Sequence, residues 1–222
     1  MLSQRGFLGI FKSKGVDTSS RSFFPNGVDK EFINLSLARG NHFQHIKTIL
    51  YAGNMGNGQD LEMVLSDVEK CMGSGYRFLV IGGGSASSKL INAIKKENIN
   101  NIEILPPVKR DKLMVHYQDA DILFLHLNDI PAFKRVLPSK IFEYTALRKP
   151  IVAGLRGYSA QFMADNVPNS IVFEPGDVEG CVDAIRKIEK LDVKNEVRDV
   201  FVKKYSREKI MNRMAEHIFS VL

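Results

Sequence analysis

A single doubly wound α/β domain, a parallel sheet of about six strands wrapped by helices, is the fold this sequence predicts. Three observations carry that prediction. From about residue 46 onward, short apolar runs alternate with amphipathic segments. The runs are only a few residues long, and glycine-rich turns follow several of them.

The elements are justified in chain order. Residues 1–35 stand outside the alternation and read as the trailing segment of something upstream. Within them, Arg5 to Gly15 reads as the end of a helix, and Phe23–Phe24–Pro25–Asn26–Gly27 as a short strand running into a turn. The expected strands are Ile46–Ala52, Arg77–Ile81, Ile102–Leu105, Ile122–Leu127, Pro150–Ala153 and Ser170–Phe173. Between the first two, Leu61, Val64, Leu65 and Val68 recur at helical spacing. Ile141, Tyr144, Thr145 and Leu147 roughly do the same between the fourth and fifth. Strands joined by crossover helices in this way place a ligand at the carboxyl ends of the strands. Near the end, Ser206 is placed to cap a final amphipathic helix in which Ile210, Met214, His217 and Ile218 share a face. The expected division is therefore 1–35 as the trailing segment, 36–205 as the α/β domain and 206–222 as the closing helix.

Composition narrows the function classes. With 222 residues, 44% of them hydrophobic and 25% charged, the chain can bury a real core, which excludes disorder, collagen-like repeats and a disulfide-knotted miniprotein. The formal net charge is +6, and the first fifty residues hold seven Lys/Arg against three Asp/Glu. A basic stripe of that size is a solvated face, or it docks on anionic lipid or an acidic neighbour; nucleic acid is not the expected partner. Cys71 and Cys181 have neither CxxC spacing nor a nearby His, which argues against zinc or thiol chemistry and makes both expected core residues in a reducing compartment. No run reaches the roughly eighteen apolar residues that a membrane helix needs, and Gly6 to Phe11 is too short for a signal peptide. A cytoplasmic, soluble chain is expected.

Three glycine-rich loops follow strands: Gly53–Asn54–Met55–Gly56–Asn57–Gly58, Gly82–Gly83–Gly84–Ser85 and Gly154–Leu155–Arg156–Gly157. Glycine lets a backbone approach a phosphate, and the amides of the next helix's first turn carry partial positive charge. Any strand-to-helix turn favours glycine, so one loop alone says little; two on one sheet edge point to a nucleotide. Gly82-x-Gly84 begins a dinucleotide fingerprint, but Ser87 stands where the third glycine belongs, and no Walker loop exists.

The richest segment is Leu137–Pro138–Ser139–Lys140–Ile141–Phe142–Glu143–Tyr144, which opens a helix. A Ser hydroxyl, a Lys ammonium and free amides converge there on the place of a diphosphate, and Glu143, one turn on, can accept bonds from ribose hydroxyls. The same residues also make an ordinary Pro-Ser helix start that needs no ligand. Asp119-x-Asp121 resembles a metal-binding acid pair, yet Asp121 precedes its strand and so lies at the wrong end of the sheet. His42-x-x-His45 lacks a third ligand and reads as solvated imidazoles.

Taken together, these residues resemble the C-terminal, donor-binding domain of the group 1 retaining glycosyltransferases, which have a two-domain GT-B fold of Rossmann-like halves. Phe24–Pro25–Asn26–Gly27–Val28–Asp29 is similar to the segment that opens that domain, and Tyr51–Ala52–Gly53–Asn54–Met55–Gly56 to its first strand and loop. Leu137 to Tyr144, followed by Lys149–Pro150–Ile151–Val152–Ala153–Gly154, resembles its most specific stretch, above all in transferases that build bacterial O-antigen, capsule and lipopolysaccharide.

The resemblance implies a nucleotide-sugar site in which Glu143 holds the ribose. Gly53, Asn54, Gly56, Gly82 and Gly83, with Leu137, Pro138, Ser139 and Lys140, hold the diphosphate, and the base lies against Pro107–Val108. It further implies a sugar, most simply a UDP-linked acetamido sugar, moved with retention of configuration to a lipid-linked or polysaccharide acceptor. No cofactor, no metal and no catalytic residue in this chain are expected. The preceding domain would carry the acceptor pocket, with residues 206–222 crossing back onto it. Peripheral contact with the cytoplasmic face of the inner membrane would suit the basic N-terminal stretch. Two departures stand out. Arg135 occupies the position where the family often has a glutamate eight residues before Glu143, which leaves sugar recognition there open. Gln59, Asp60 and Glu62 stand near where a basic pair is common, so Lys140 or Lys89 would supply the positive charge. Other readings are a non-catalytic nucleotide-sugar-binding or scaffold module and a dinucleotide-dependent oxidoreductase domain.

Overall fold

Each expected apolar run forms a strand in the computed structural model, which describes residues 5–17, 22–33, 46–191 and 195–220. The strands are β1 (Lys47–Asn54), β2 (Tyr76–Gly83), β3 (Ile102–Leu105), β4 (Ile122–His126), β5 (Ile151–Gly154) and β6 (Ser170–Phe173). All pair in parallel in the order β3-β2-β1-β4-β5-β6. Among the described residues two short α-helices come before the sheet, α1 (Leu8–Ser13) and α2 (Lys30–Ile33). The connections carry α3 (Leu61–Met72), α4 (Ser87–Glu97), α5 (Arg110–Asp119), α6 (Ser139–Ala146), α7 (Tyr158–Asn166) and α8 (Val178–Ile188). α9 (Asn195–Tyr205) and α10 (Arg207–Ser220) follow.

A strand turns successive side chains to opposite faces, and here both faces are apolar because helices cover both. Leu50, Ala52, Leu123, Leu125, Ile151 and Ala153 face one core, and Ile49, Tyr51, Phe78, Val80, Ile122 and Phe124 face the other. Leu61, Val64, Leu65, Val68 and Met72 of α3 enter the second core at helical spacing. Cys181 is buried there as expected, but Cys71 is exposed, because it lies off that apolar face beside Met72.

α6 is fixed from outside by an aromatic cluster. Phe142 packs on Phe162 of α7 and on Phe201 and Tyr205 of α9, with ring centroids 5.5 to 5.9 Å away. Such packing, and not helix propensity, holds so short a helix. The chain then enters α10 through Ser206, whose hydroxyl accepts from the Lys209 amide at 3.3 Å, the cap the sequence predicts.

The segment before the sheet differs from expectation in one respect. Phe23 stands in an isolated bridge and residues 24–27 have no regular secondary structure, so no strand forms there. Val28 makes a second, parallel bridge with Ser206, its amide donating to the Tyr205 carbonyl at 2.8 Å. Val28 and Phe32 lie in the same core as α6. His42 and His45 lie outside the described residues.

Candidate functional site

The strand order reverses direction between β1 and β4, and such a switch point opens a crevice at the carboxyl ends of the strands. The register shows the opening. β1 and β4 pair only at Ile49↔Ile122 and Leu50↔Leu123. Beyond them the Ala52 amide donates to the Tyr144 hydroxyl at 3.1 Å, so a side chain from α6 stands where the strands have parted. Tyr144 is fully buried, and burial raises its pKa well above the ordinary value, which keeps the phenol neutral in this role.

α6 therefore begins at the crevice, with Pro138 preceding Ser139 as its cap residue. Lys140 and Glu143 are one turn apart on its half-exposed side, and the Lys140 ammonium donates to Glu143 Oε2 at 2.9 Å and to the Tyr117 hydroxyl at 3.1 Å. The two residues that the sequence assigns to diphosphate and ribose are thus also partners of each other. A carboxylate has about four lone-pair sites, so Glu143 can hold Lys140 and still accept from sugar hydroxyls. Gly53 lies close to the stem of Lys140; a Cβ there would stand 3.7 Å from Lys140 Cε. Leu137 differs from its neighbours. The residue is 2% exposed and its side chain belongs to the core, so that side chain does not line the crevice.

The two glycine loops lie side by side, since Gly53 and Asn54 at the end of β1 are in register with Gly82 and Gly83 of β2. Met55 bridges them, donating to the Gly83 carbonyl and accepting from the Ala86 amide, each at 2.9 Å. Gly83 also faces Pro107, 3.5 Å from where its Cβ would be, so the turn carrying Val108 joins the same edge. Not every loop amide faces outward, however. Gln59 Oε1 accepts from the Gly56 amide at 3.1 Å and from Asn54 Nδ2 at 3.0 Å, and Ser87 Oγ accepts from the Gly84 amide at 3.1 Å. Lys89 donates to Asn57 Oδ1 of the first glycine loop at 3.1 Å and stands 3.9 Å from Glu62, while Lys140 lies beside Gly53 at the start of that loop.

The segment that carries Arg135, where the resemblance leads one to expect a glutamate, is a 3₁₀ turn, Phe133–Arg135, and three glycines make room for it. A Cβ on Gly58 would crowd the Phe133 ring; one on Gly157, where φ is +69°, would overlap the Lys134 backbone; one on Gly6 would overlap the Arg135 carbonyl. Lys134 pairs with Asp129 at 2.9 Å, and Arg156 bonds both Asp129 and Glu174. This end of the crevice is thus bordered by paired charges, while Arg135 donates to the Pro131 carbonyl at 3.4 Å.

His126 escaped the sequence reading. It lies at the end of β4, 1% exposed, in a three-ring cluster with Phe124 and Phe173, each about 6 Å from the others. Its Nδ1 is 2.6 Å from the Gln59 carbonyl, and the Gly176 amide is 3.2 Å from Nε2. An amide can only donate, so Nε2 accepts and the proton sits on Nδ1. The ring ties the first glycine loop to the turn after β6. A single polar residue inside the run Ile122–Leu127 was the available signal. Burial lowers the imidazole pKa below its ordinary value near 6.5, more than the Gln59 bond and the Asp60 charge raise it. Below about pH 6.5 the unfolded chain takes up a proton that the folded chain refuses. Stability is then full above that pH and falls below it by up to about 1.4 kcal/mol per pH unit until the folded pKa is reached. Thermal melts from pH 7.5 to 5 should show this acid loss, and His126→Leu should flatten it; equal slopes in both proteins would refute the assignment.

The Asp119-x-Asp121 pair holds no common site. Asp121 accepts from the Thr48 amide at 2.8 Å at the amino end of β1, while Asp119 ends α5 in solvent. Among the described residues no group of three or more His, Cys, Asp or Glu is arranged to hold a metal. No helix among them is long and apolar enough to cross a membrane.

With this geometry in hand, comparison with known proteins is informative. A family model described as "Glycosyl transferases group 1" matches residues 36–208. WcaI of Escherichia coli (strain K12), a glycosyl transferase ascribed to colanic acid biosynthesis, is 25% identical over 226 residues, covering 92% of this chain and 53% of WcaI. The chain thus spans about half the length of that relative. Among solved structures, Anabaena Alr3699/HepE in complex with UDP superposes with a TM-score of 0.80 at 15% identity, over 99% of this chain and 63% of its own. The lipopolysaccharide outer core galactosyltransferase WaaB, in its apo form, superposes with 0.74 at 13% identity, over 100% of this chain and 61% of its own. At such identities the likeness shows the fold alone, and it is the Rossmann-like half of a GT-B fold that the sequence led us to expect.

Proposed function

Since the chain belongs to the group 1 glycosyl transferases, we propose that it is the donor-binding part of an enzyme that transfers a sugar from a UDP-linked acetamido donor to a lipid-linked or polysaccharide acceptor of a bacterial surface glycan. The observation that carries the reading is Lys140 and Glu143, one turn apart at the start of α6 and beside Gly53 at the switch point. Glu143 would hold the ribose hydroxyls and Lys140 the diphosphate. The backbone around Gly53, Gly82 and Gly83 would close on the phosphates, and Pro107–Val108 would lie against the base. The relatives named above are consistent with this reading, WcaI through its pathway and HepE through its bound UDP.

In this scheme the chain's own groups meet the charge that grows on the leaving phosphate as the glycosidic bond breaks. A cation and backbone amides fixed before the reaction do this without reorganising. Front-face attack then retains configuration, the departing phosphate taking the acceptor's proton, and no protein nucleophile or metal ion is needed. Residues 1–35 would adjoin the acceptor domain, α10 would cross back onto it, and the basic N-terminal stretch would face it or the inner membrane.

Calorimetric titration with UDP, uridine, GDP and NAD, in EDTA and again with manganese, tests this reading. UDP should bind equally well in both buffers and NAD not at all. Glu143→Gln should weaken UDP by about 10- to 100-fold, the worth of charge-assisted bonds to two hydroxyls. Equal UDP affinity in mutant and wild type would sink the ribose assignment, and a tenfold metal dependence the metal-free one.

A further inference from the structure

We infer that Tyr117 is a positioning residue for Lys140, setting the direction in which the ammonium offers its remaining proton to the diphosphate of a nucleotide donor. The inference rests on the donor-site reading above. Tyr117 is the single buried residue of α5, the helix that follows the Pro107–Val108 turn. Its ring is held edge-on by Phe32 and Tyr144, with centroids 6.2 and 5.9 Å away, so the hydroxyl has one available place. That hydroxyl accepts from Lys140 Nζ at 3.1 Å, while Glu143 Oε2 takes a second proton at 2.9 Å. The ammonium also lies 5.9 Å from the Tyr117 ring centroid and 5.8 Å from that of Tyr144.

A lysine ammonium has three protons in tetrahedral array on a flexible stem. Two fixed acceptors determine the direction of the third. With Glu143 alone, the group would rotate about a single bond and lose that freedom on binding a phosphate. The second acceptor removes the rotation in advance, which is the meaning of preorganisation here. Burial raises the Tyr117 pKa above its ordinary value, and the Glu143 charge adds to this, so the phenol stays neutral beside a cation at all ordinary pH values. Were Tyr117 only core filling, a phenyl ring would serve as well.

Tyr117→Phe in the full chain is the test, because it keeps the ring and removes only the acceptor. UDP affinity should fall about three- to tenfold, as a lost coupling between neighbours does, with uridine affinity unchanged. In a Lys140→Ala background the same substitution should cost nothing further. Without any ligand, the ¹⁵N NMR signal of the Lys140 ammonium, visible when hydrogen bonds slow its exchange, should weaken in Tyr117→Phe. Equal losses for UDP and uridine, a loss that persists without Lys140, or an unchanged ammonium signal would each overturn the inference. Failure of the wild-type chain to bind UDP would instead defeat the donor-site reading, and the ammonium signal would then decide Tyr117 alone.

Discussion

Lys140→Ala should reduce affinity for UDP by about one to two orders of magnitude, matching a charge-assisted bond of roughly 1.5–3 kcal/mol, and should leave uridine affinity where it was. The structure gives a reason for the upper end of that range. Lys140 and Glu143 form an ion pair, so removing the ammonium leaves a carboxylate unopposed where a doubly charged group must bind. The side chains are 24% and 23% exposed, partly shielded from the solvent that would otherwise screen the repulsion. Uridine carries no diphosphate, and its ribose would still meet Glu143. Calorimetry with both ligands checks the point: parallel losses would make Lys140 a structural residue of α6 and nothing more.

Gly82→Ala should lower stability by about 2–6 kcal/mol, combining backbone strain with overpacking. Gly82 has a φ of +150°, and its Cβ would overlap the carbonyl oxygen of Gly53 in the paired strand. Neither strand can yield, because both are central in the sheet. For a chain of this size the melting temperature should drop by roughly 5–20 °C. The next residue provides the contrast. A Cβ on Gly83 would meet only the Pro107 side chain, at 3.5 Å, an ordinary contact. Gly83→Ala should therefore melt within about 2 °C of the wild type, as surface changes do. It should still weaken UDP, if the phosphates approach the backbone there. A Gly82→Ala protein as stable as the wild type would contradict the β1–β2 register described above.

Local patterns explain why so much was legible beforehand. Strand positions follow from short apolar runs, whose burial on both sheet faces is a property of each run itself; β3 and β6 occupy the very residues expected, and the others differ at their ends by one or two. Lys140 and Glu143 were likewise visible as a helix-start motif, because an i, i+3 pair on one helix face is fixed by helical geometry alone. What only the tertiary structure decided is the set of partners contributed by distant elements. Tyr117 reaches Lys140 across 23 positions of sequence, and His126 joins Gln59 and Gly176 across 67 and 50. Gln59 closes the Gly56 amide, and Cys71 turns to solvent although Cys181 does not. No periodicity encodes such contacts: they depend on how helices from separate crossovers settle on one sheet, and a side chain's chemistry at the switch point is set by whichever neighbour that packing delivers.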